Sequence, residues 1–137
     1  LICGSSEFIN GARRIRKAVG GGMRQAGILA AAGLVALEQM VDRLVIDHRH
    51  ARSLAEGLVT APGIELDIEM VKTNIVFFNL ADDVPYDAAE IASKMRQEAN
   101  IWVGTTGPRP FRAVTHYWIE DLEVRSFLDV LGSIMVG

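Results

Sequence analysis

The chain reads as an α/β protein, a helical first part joined to a small α+β unit whose sheet carries helices on one face. Three observations predict this. Apolar residues recur at helical spacing through the first part of the chain; Thr60, Ala61, Pro62 and Gly63 then punctuate it; and beyond them short alternating apolar runs are interleaved with two helical patterns. With 137 residues, half of them hydrophobic and 23% charged, the chain can bury a core and is not a disordered polymer.

The elements follow in order. Leu1 to Gly4 is apolar and reads as the end of a buried strand, with Cys3 a buried structural thiol. Ser5 and Ser6 cap a helix over residues 7–19, in which Phe8, Ile9, Ala12, Ile15 and Ala18 share a spacing of three and four. Gly20, Gly21 and Gly22 break it. A second helix starts near Met23 and runs to about Leu58, with Ile28, Leu29, Leu34, Val35, Leu37, Met40 and Leu44 forming a broad face that predicts substantial burial. Residues 64–68 and 74–80 read as strands, Asp82 to Pro85 as a solvated turn, and 87–100 as an amphipathic helix carrying Ile91, Met95 and Ala99. Two further strands, 101–103 and 111–116, flank a loop over 104–108. A helix from Ile119 or Glu120 to Met135 completes a β-β-α-β-β-α order. The expected division is residues 1–58 and 59–137.

Charge is unevenly spread. The chain is net −3, yet between Glu7 and Glu38 stand Arg13, Arg14, Arg16, Lys17 and Arg24 and no acid. A glycine break before a helix start offers close approach, unpaired N–H groups and the positive end of a helix dipole, which suits an anion. Alternatively, the glycines end one helix and begin the next, and the cations are solvated. Arg112 stands on the last strand, where alternation places it with Val114 and His116, opposite Phe111, Ala113 and Thr115. Its fork suits a carboxylate; an ion pair on the domain surface is the alternative. His48 and His50, two apart on a helix, face different ways and make a poor metal pair. His116 either orients its neighbours or packs beside Tyr117 and Trp118. No spacing supports a zinc site, a catalytic triad or a phosphate-binding loop of the Walker type. The longest uncharged helical run is shorter than the roughly 20 apolar residues of a membrane span. A single cysteine, Cys3, fits a reducing cytoplasm.

The run from Gly20 to Glu38, GGGMRQAGILAAAGLVALE, resembles the low-specificity L-threonine aldolases, pyridoxal-phosphate (PLP) enzymes of the aspartate aminotransferase fold type I. Ser6 to Ile9, Ala12 to Arg14, and Arg112 to Trp118 resemble that family too. The resemblance implies the C-terminal part of such an enzyme, with residues 1–58 the end of the large PLP-binding domain plus a linking helix and 59–137 the small domain. It implies that Arg112 holds the carboxylate of a β-hydroxy amino acid. Arg24, Lys17, Gly21 and Gly22 would lie near the cofactor phosphate at a subunit interface of a homodimer or homotetramer. Lys17 could equally be a solvated helix cation. The family's cofactor lysine, ring-stacking histidine and pyridine-nitrogen aspartate are expected before Leu1, since Lys17, Lys72 and Lys94 lack the cofactor-lysine context. No catalytic residue is therefore expected here. The rival readings are a related PLP-dependent β-eliminating amino-acid lyase, or a non-catalytic interaction module using Arg13 to Lys17. Partners in nucleic acid or membrane are not expected.

Overall fold

The computed structural model describes residues 1–136 and divides the chain into two compact units, Leu1–Val41 and Asp42–Gly137. The first holds helices α1 (Ser6–Ala18) and α2 (Gly27–Gln39). Ser5 caps α1, its Oγ accepting from the amide of Phe8 at 3.3 Å, which satisfies one of the donors that a helix start leaves free. Ile9 and Ala12 are half-buried, whereas Phe8 and Ile15 are exposed.

Three expectations fail in this unit. Leu1 to Gly4 form no strand and Cys3 is exposed, because a strand exists only as part of a ladder and none of the described residues pairs there. The long helix expected from Met23 to Leu58 is two helices, interrupted at residues 40–43. Finally, α2 buries nothing: Ile28, Leu29, Leu34, Val35 and Leu37 are all exposed. A helix this apolar over its whole circumference is built to be covered, and α1, the other helix of the first unit, does not bury it.

The second unit begins with α3 (Leu44–Thr60), followed by β1 (Ile64–Glu65), a 3₁₀ turn (Ile68–Met70) and β2 (Ile75–Leu80). Then come α4 (Ala88–Ala99), β3 (Gly104–Thr105), β4 (Pro110–Val114) and α5 (Asp121–Val136). The β-β-α-β-β-α order is as expected, but the strands are shorter and the third is displaced: residues 101–103 form no strand, and β3 falls at the start of the expected loop, because it is Gly104 and Thr105 that pair with Arg112 and Phe111. The sheet is antiparallel throughout, in the order β1-β2-β4-β3. Alternation does the sorting. Val76, Phe78 and Leu80 of β2 and Phe111 and Ala113 of β4 point into the core with Leu54 and Leu58 of α3, Ile91 and Met95 of α4, and Phe127 and Leu131 of α5. The helices thus cover one face of the sheet. Phe77, Asn79, Arg112 and Val114 lie on the other and are exposed.

Local chemistry fixes the connections. Asp87 and Glu90 form a reciprocal capping box at the start of α4, both bonds 2.8 Å, and Asn100 ends that helix in the left-handed conformation. Arg109, given no role by its place in the sequence, holds the turn after β2. Its Nη1 donates to the carbonyls of Val84 at 2.8 Å and Tyr86 at 3.2 Å, and its Nη2 to that of Asp82 at 3.0 Å. Replacing Arg109 by methionine keeps the aliphatic stem but strands three carbonyls, so the complete protein is expected to lose about 1–3 kcal/mol of stability. Urea unfolding followed by tryptophan fluorescence measures this, and an unchanged midpoint would show that water replaces the guanidinium without cost.

Candidate active-site elements

The glycine break in the first unit is a Schellman helix end. Val19 closes α1, Gly20 takes φ +80°, the Gly20 amide donates to the Lys17 carbonyl at 3.3 Å, and the Gly21 amide donates to the Arg16 carbonyl at 2.7 Å. The glycines also permit close approach by side chains. A Cβ on Gly21 would lie 2.9 Å from Arg16 Cγ, and one on Gly22 would lie 3.0 Å from Lys17 Cδ and 3.2 Å from its Nζ. Lys17 thus folds back over Gly22.

Past this point the backbone is open. Among the described residues the amides of residues 22–27 have no hydrogen-bond partner, and Ala26 offers α2 no side-chain cap. Gln25 adopts φ +53°, an uncommon conformation for a residue with a side chain. Arg24 is exposed and makes no ion pair or hydrogen bond among the described residues. A cation, free amides and an uncapped helix start are thus gathered in one short segment, a set of donors suited to an anion.

In the second unit Arg112 stands in the middle of β4, on the face that the helices leave uncovered. Its direct cross-strand neighbours are Phe77 on β2 and Gly104 on β3. It too has no acidic partner among the described residues, so the surface ion pair considered from the sequence is not formed. Its strand is tied down just beyond it. The Thr115 amide donates to the Asn74 carbonyl at 2.9 Å, Asn74 Nδ2 returns a bond to the Thr115 carbonyl at 2.7 Å, and buried Thr115 Oγ1 donates to the Asp47 carbonyl at 2.7 Å. Because a slip of one residue would turn Arg112 into the core, Asn74 and Thr115 hold its phase. No sequence signal marks Asn74, whose partner lies far along the chain.

The histidines do not gather. His48 is exposed, while His50 is buried with Nε2 3.2 Å from Asp121 Oδ1 at the start of α5. His116 lies edge-on to Trp118 at 5.9 Å, and its Nδ1 accepts from the Trp118 amide at 3.4 Å, so it both packs beside and orients its neighbour. No group of three or more metal-ligating side chains occurs among the described residues. No helix among them is long and apolar enough to cross a membrane.

This architecture is that of part of a fold-type-I enzyme. It matches two structures of C-DES, one the complex of this cystine C–S lyase with its reaction product cysteine persulfide and one a mutant with glycine covalently linked to the PLP-cofactor. Each match has a TM-score of 0.64 at 25% identity and covers 78% of this chain and 28% of that one. The beta-eliminating lyase model matches residues 1–82, and the chain belongs to that family. It is 40% identical over 134 residues to a probable low-specificity L-threonine aldolase 2 of Arabidopsis thaliana, covering 98% of this chain and 38% of the relative. It is 41% identical over 96 residues to a low specificity L-threonine aldolase of Escherichia coli strain K12, covering 70% and 27%. The chain therefore spans well under half the length of these relatives.

Proposed function

We propose that this chain is the C-terminal part of a PLP-dependent low-specificity L-threonine aldolase, which cleaves L-threonine or L-allo-threonine to glycine and acetaldehyde. The observation that carries the reading is an arginine without an acid, Arg112, fixed on the open sheet face of a chain similar over nearly its whole length to a threonine aldolase. Residues 1–58 then supply the end of the large domain and the linking helix α3, and residues 59–137 the small domain. The protein acts in the cytoplasm as a homodimer or homotetramer, a partner surface covering the exposed apolar face of α2.

The residues present fit a phosphate-bearing cofactor. Arg24 and Lys17 would neutralise its phosphate, while Gly21, Gly22 and the free amides that follow would let it approach the backbone. Bound PLP supplies an electron sink for charge developing at the substrate Cα. Arg112 binds the α-carboxylate through two parallel N–H···O bonds and so sets which substituent of Cα stands in line for cleavage. The Cα–Cβ bond breaks, the β-hydroxyl proton leaves as the aldehyde forms, and Cα gains a proton to give glycine. The groups that move those protons belong to the rest of the enzyme.

The family description and the C–S lyase neighbour favour a second reading, β-elimination from a β-substituted amino acid. Assaying the complete protein separates the two. Acetaldehyde released from L-threonine and detected by coupled reduction is the expected result; pyruvate from cysteine or cystine with no acetaldehyde would establish the second. The cofactor site has its own test. Arg24→Ala in the complete protein is expected to weaken PLP retention by about one to two orders of magnitude, the worth of one charge-assisted bond. Dialysis against phosphate with cofactor absorbance reads this, and unchanged retention would make Arg24 a solvated cation.

A further inference from the structure

We infer that Phe77 and Gly104 make a one-sided slot around Arg112, with Phe77 as its wall and Gly104 as its open side, and that this pair decides which amino-acid carboxylates Arg112 can take. The inference rests on the reading of Arg112 as carboxylate anchor and goes beyond it to two residues with no other role. In an antiparallel sheet directly opposed residues share a face, with Cβ atoms about 4.5–5.5 Å apart. On the uncovered face Arg112 therefore has a phenylalanine on one flank and no side chain on the other. Phe77 is 59% exposed and stacks on no other aromatic ring among the described residues.

Gly104 is not required by its backbone. Its φ lies outside the left-handed region, unlike those of Gly20 and Gly63. The only atom within 4 Å of a Cβ placed there is the Arg112 carbonyl oxygen, at 3.3 Å. A glycine inside a strand weakens it and often marks the close approach of a ligand. A carboxylate that accepts two parallel bonds must lie in the guanidinium plane. The Phe77 ring stands on one flank of Arg112, while the bare backbone of Gly104 leaves the other flank without a side chain. The substrate's carboxylate enters over Gly104.

Kinetics of the complete protein with L-threonine test this. Gly104→Val is expected to raise KM by about tenfold or more, since a misplaced methyl in a fitted site costs that much. The unfolding midpoint should change only slightly, because the better fit of valine to a strand is set against the 3.3 Å approach of its Cβ to the Arg112 carbonyl oxygen. Gly104→Ala should fall between, and Phe77→Ala should raise KM with little change in kcat. In an Arg112→Lys background the valine should add no further loss, which a merely structural fault would not reproduce. If Arg112→Lys is impaired while Gly104→Val and Phe77→Ala keep the normal KM, the slot is overturned and the anchor stands. If Arg112→Lys itself is normal, the anchor fails first. Should valine unfold the sheet, the alanine variant decides, and a normal KM there overturns the inference.

Discussion

Arg112→Lys in the complete protein is expected to lower kcat/KM for L-threonine by about one to two orders of magnitude, corresponding to a charge-assisted pair worth roughly 1.5–3 kcal/mol. Lysine keeps the charge but is a point donor. It cannot hold both carboxylate oxygens in one plane, so affinity and bond alignment suffer together. Alanine should be worse. The structure sharpens this expectation, because Arg112 is exposed, has no acidic partner among the described residues and sits on the face away from the core. A residue so placed contributes little to folding, so the unfolding midpoint and bound-cofactor absorbance should be those of the parent. Normal turnover by the lysine variant would move the carboxylate anchor elsewhere and return Arg112 to the solvated surface.

Most of the second unit was legible because its signals are local, although β3 was expected at 101–103 and lies at Gly104–Thr105. Val76, Phe78 and Leu80 alternate with Phe77 and Asn79, Asp87 and Glu90 stand at capping-box spacing, and Phe111, Ala113 and Thr115 alternate with Arg112 and Val114. Each pattern fixes a face or an end without reference to distant residues, so the outward side of Arg112 could be read directly. The break between α2 and α3 could not. Met40, Val41, Asp42 and Arg43 contain no glycine or proline, and the apolar spacing runs through them. What distinguishes Arg43 is its 3.1 Å pair with Asp47 and its position 4.5 Å over the Tyr117 ring, a contact spanning most of the second unit. Nor could the exposure of α2 be read, since spacing shows that a face is apolar but not whether anything covers it. At the glycine break, Gly20 and Gly21 end a helix, and the amides of residues 22–27 that follow have no backbone partner among the described residues. Local sequence indicates that a chain can turn there, whereas the unpaired donors become visible only once every bond is placed.

Phe78→Ala is expected to destabilise the complete protein by about 3–5 kcal/mol, the range for removing a buried aromatic ring. Phe78 is 2% exposed. Its ring stacks on Phe111 of β4 with centroids 4.8 Å apart and meets Phe127 of α5 edge-on at 6.3 Å. It thus joins the two central strands to the helix layer, and the cavity left by alanine would open between them. Against a total stability of about 5–15 kcal/mol this is a large fraction. Phe78→Leu keeps most of the volume and should lose clearly less. Since Phe77 faces outward from the next position on the same strand, the effect on function separates by temperature. Well below its lowered unfolding midpoint, the alanine variant should keep a near-normal KM for L-threonine, because the β2–β4 register and the placing of Arg112 survive. Thermal unfolding with kinetics at several temperatures checks both halves. An unchanged midpoint would mean that Phe111 and Phe127 close the gap unaided. A raised KM at low temperature would mean that the open face depends on core packing as well as on strand register.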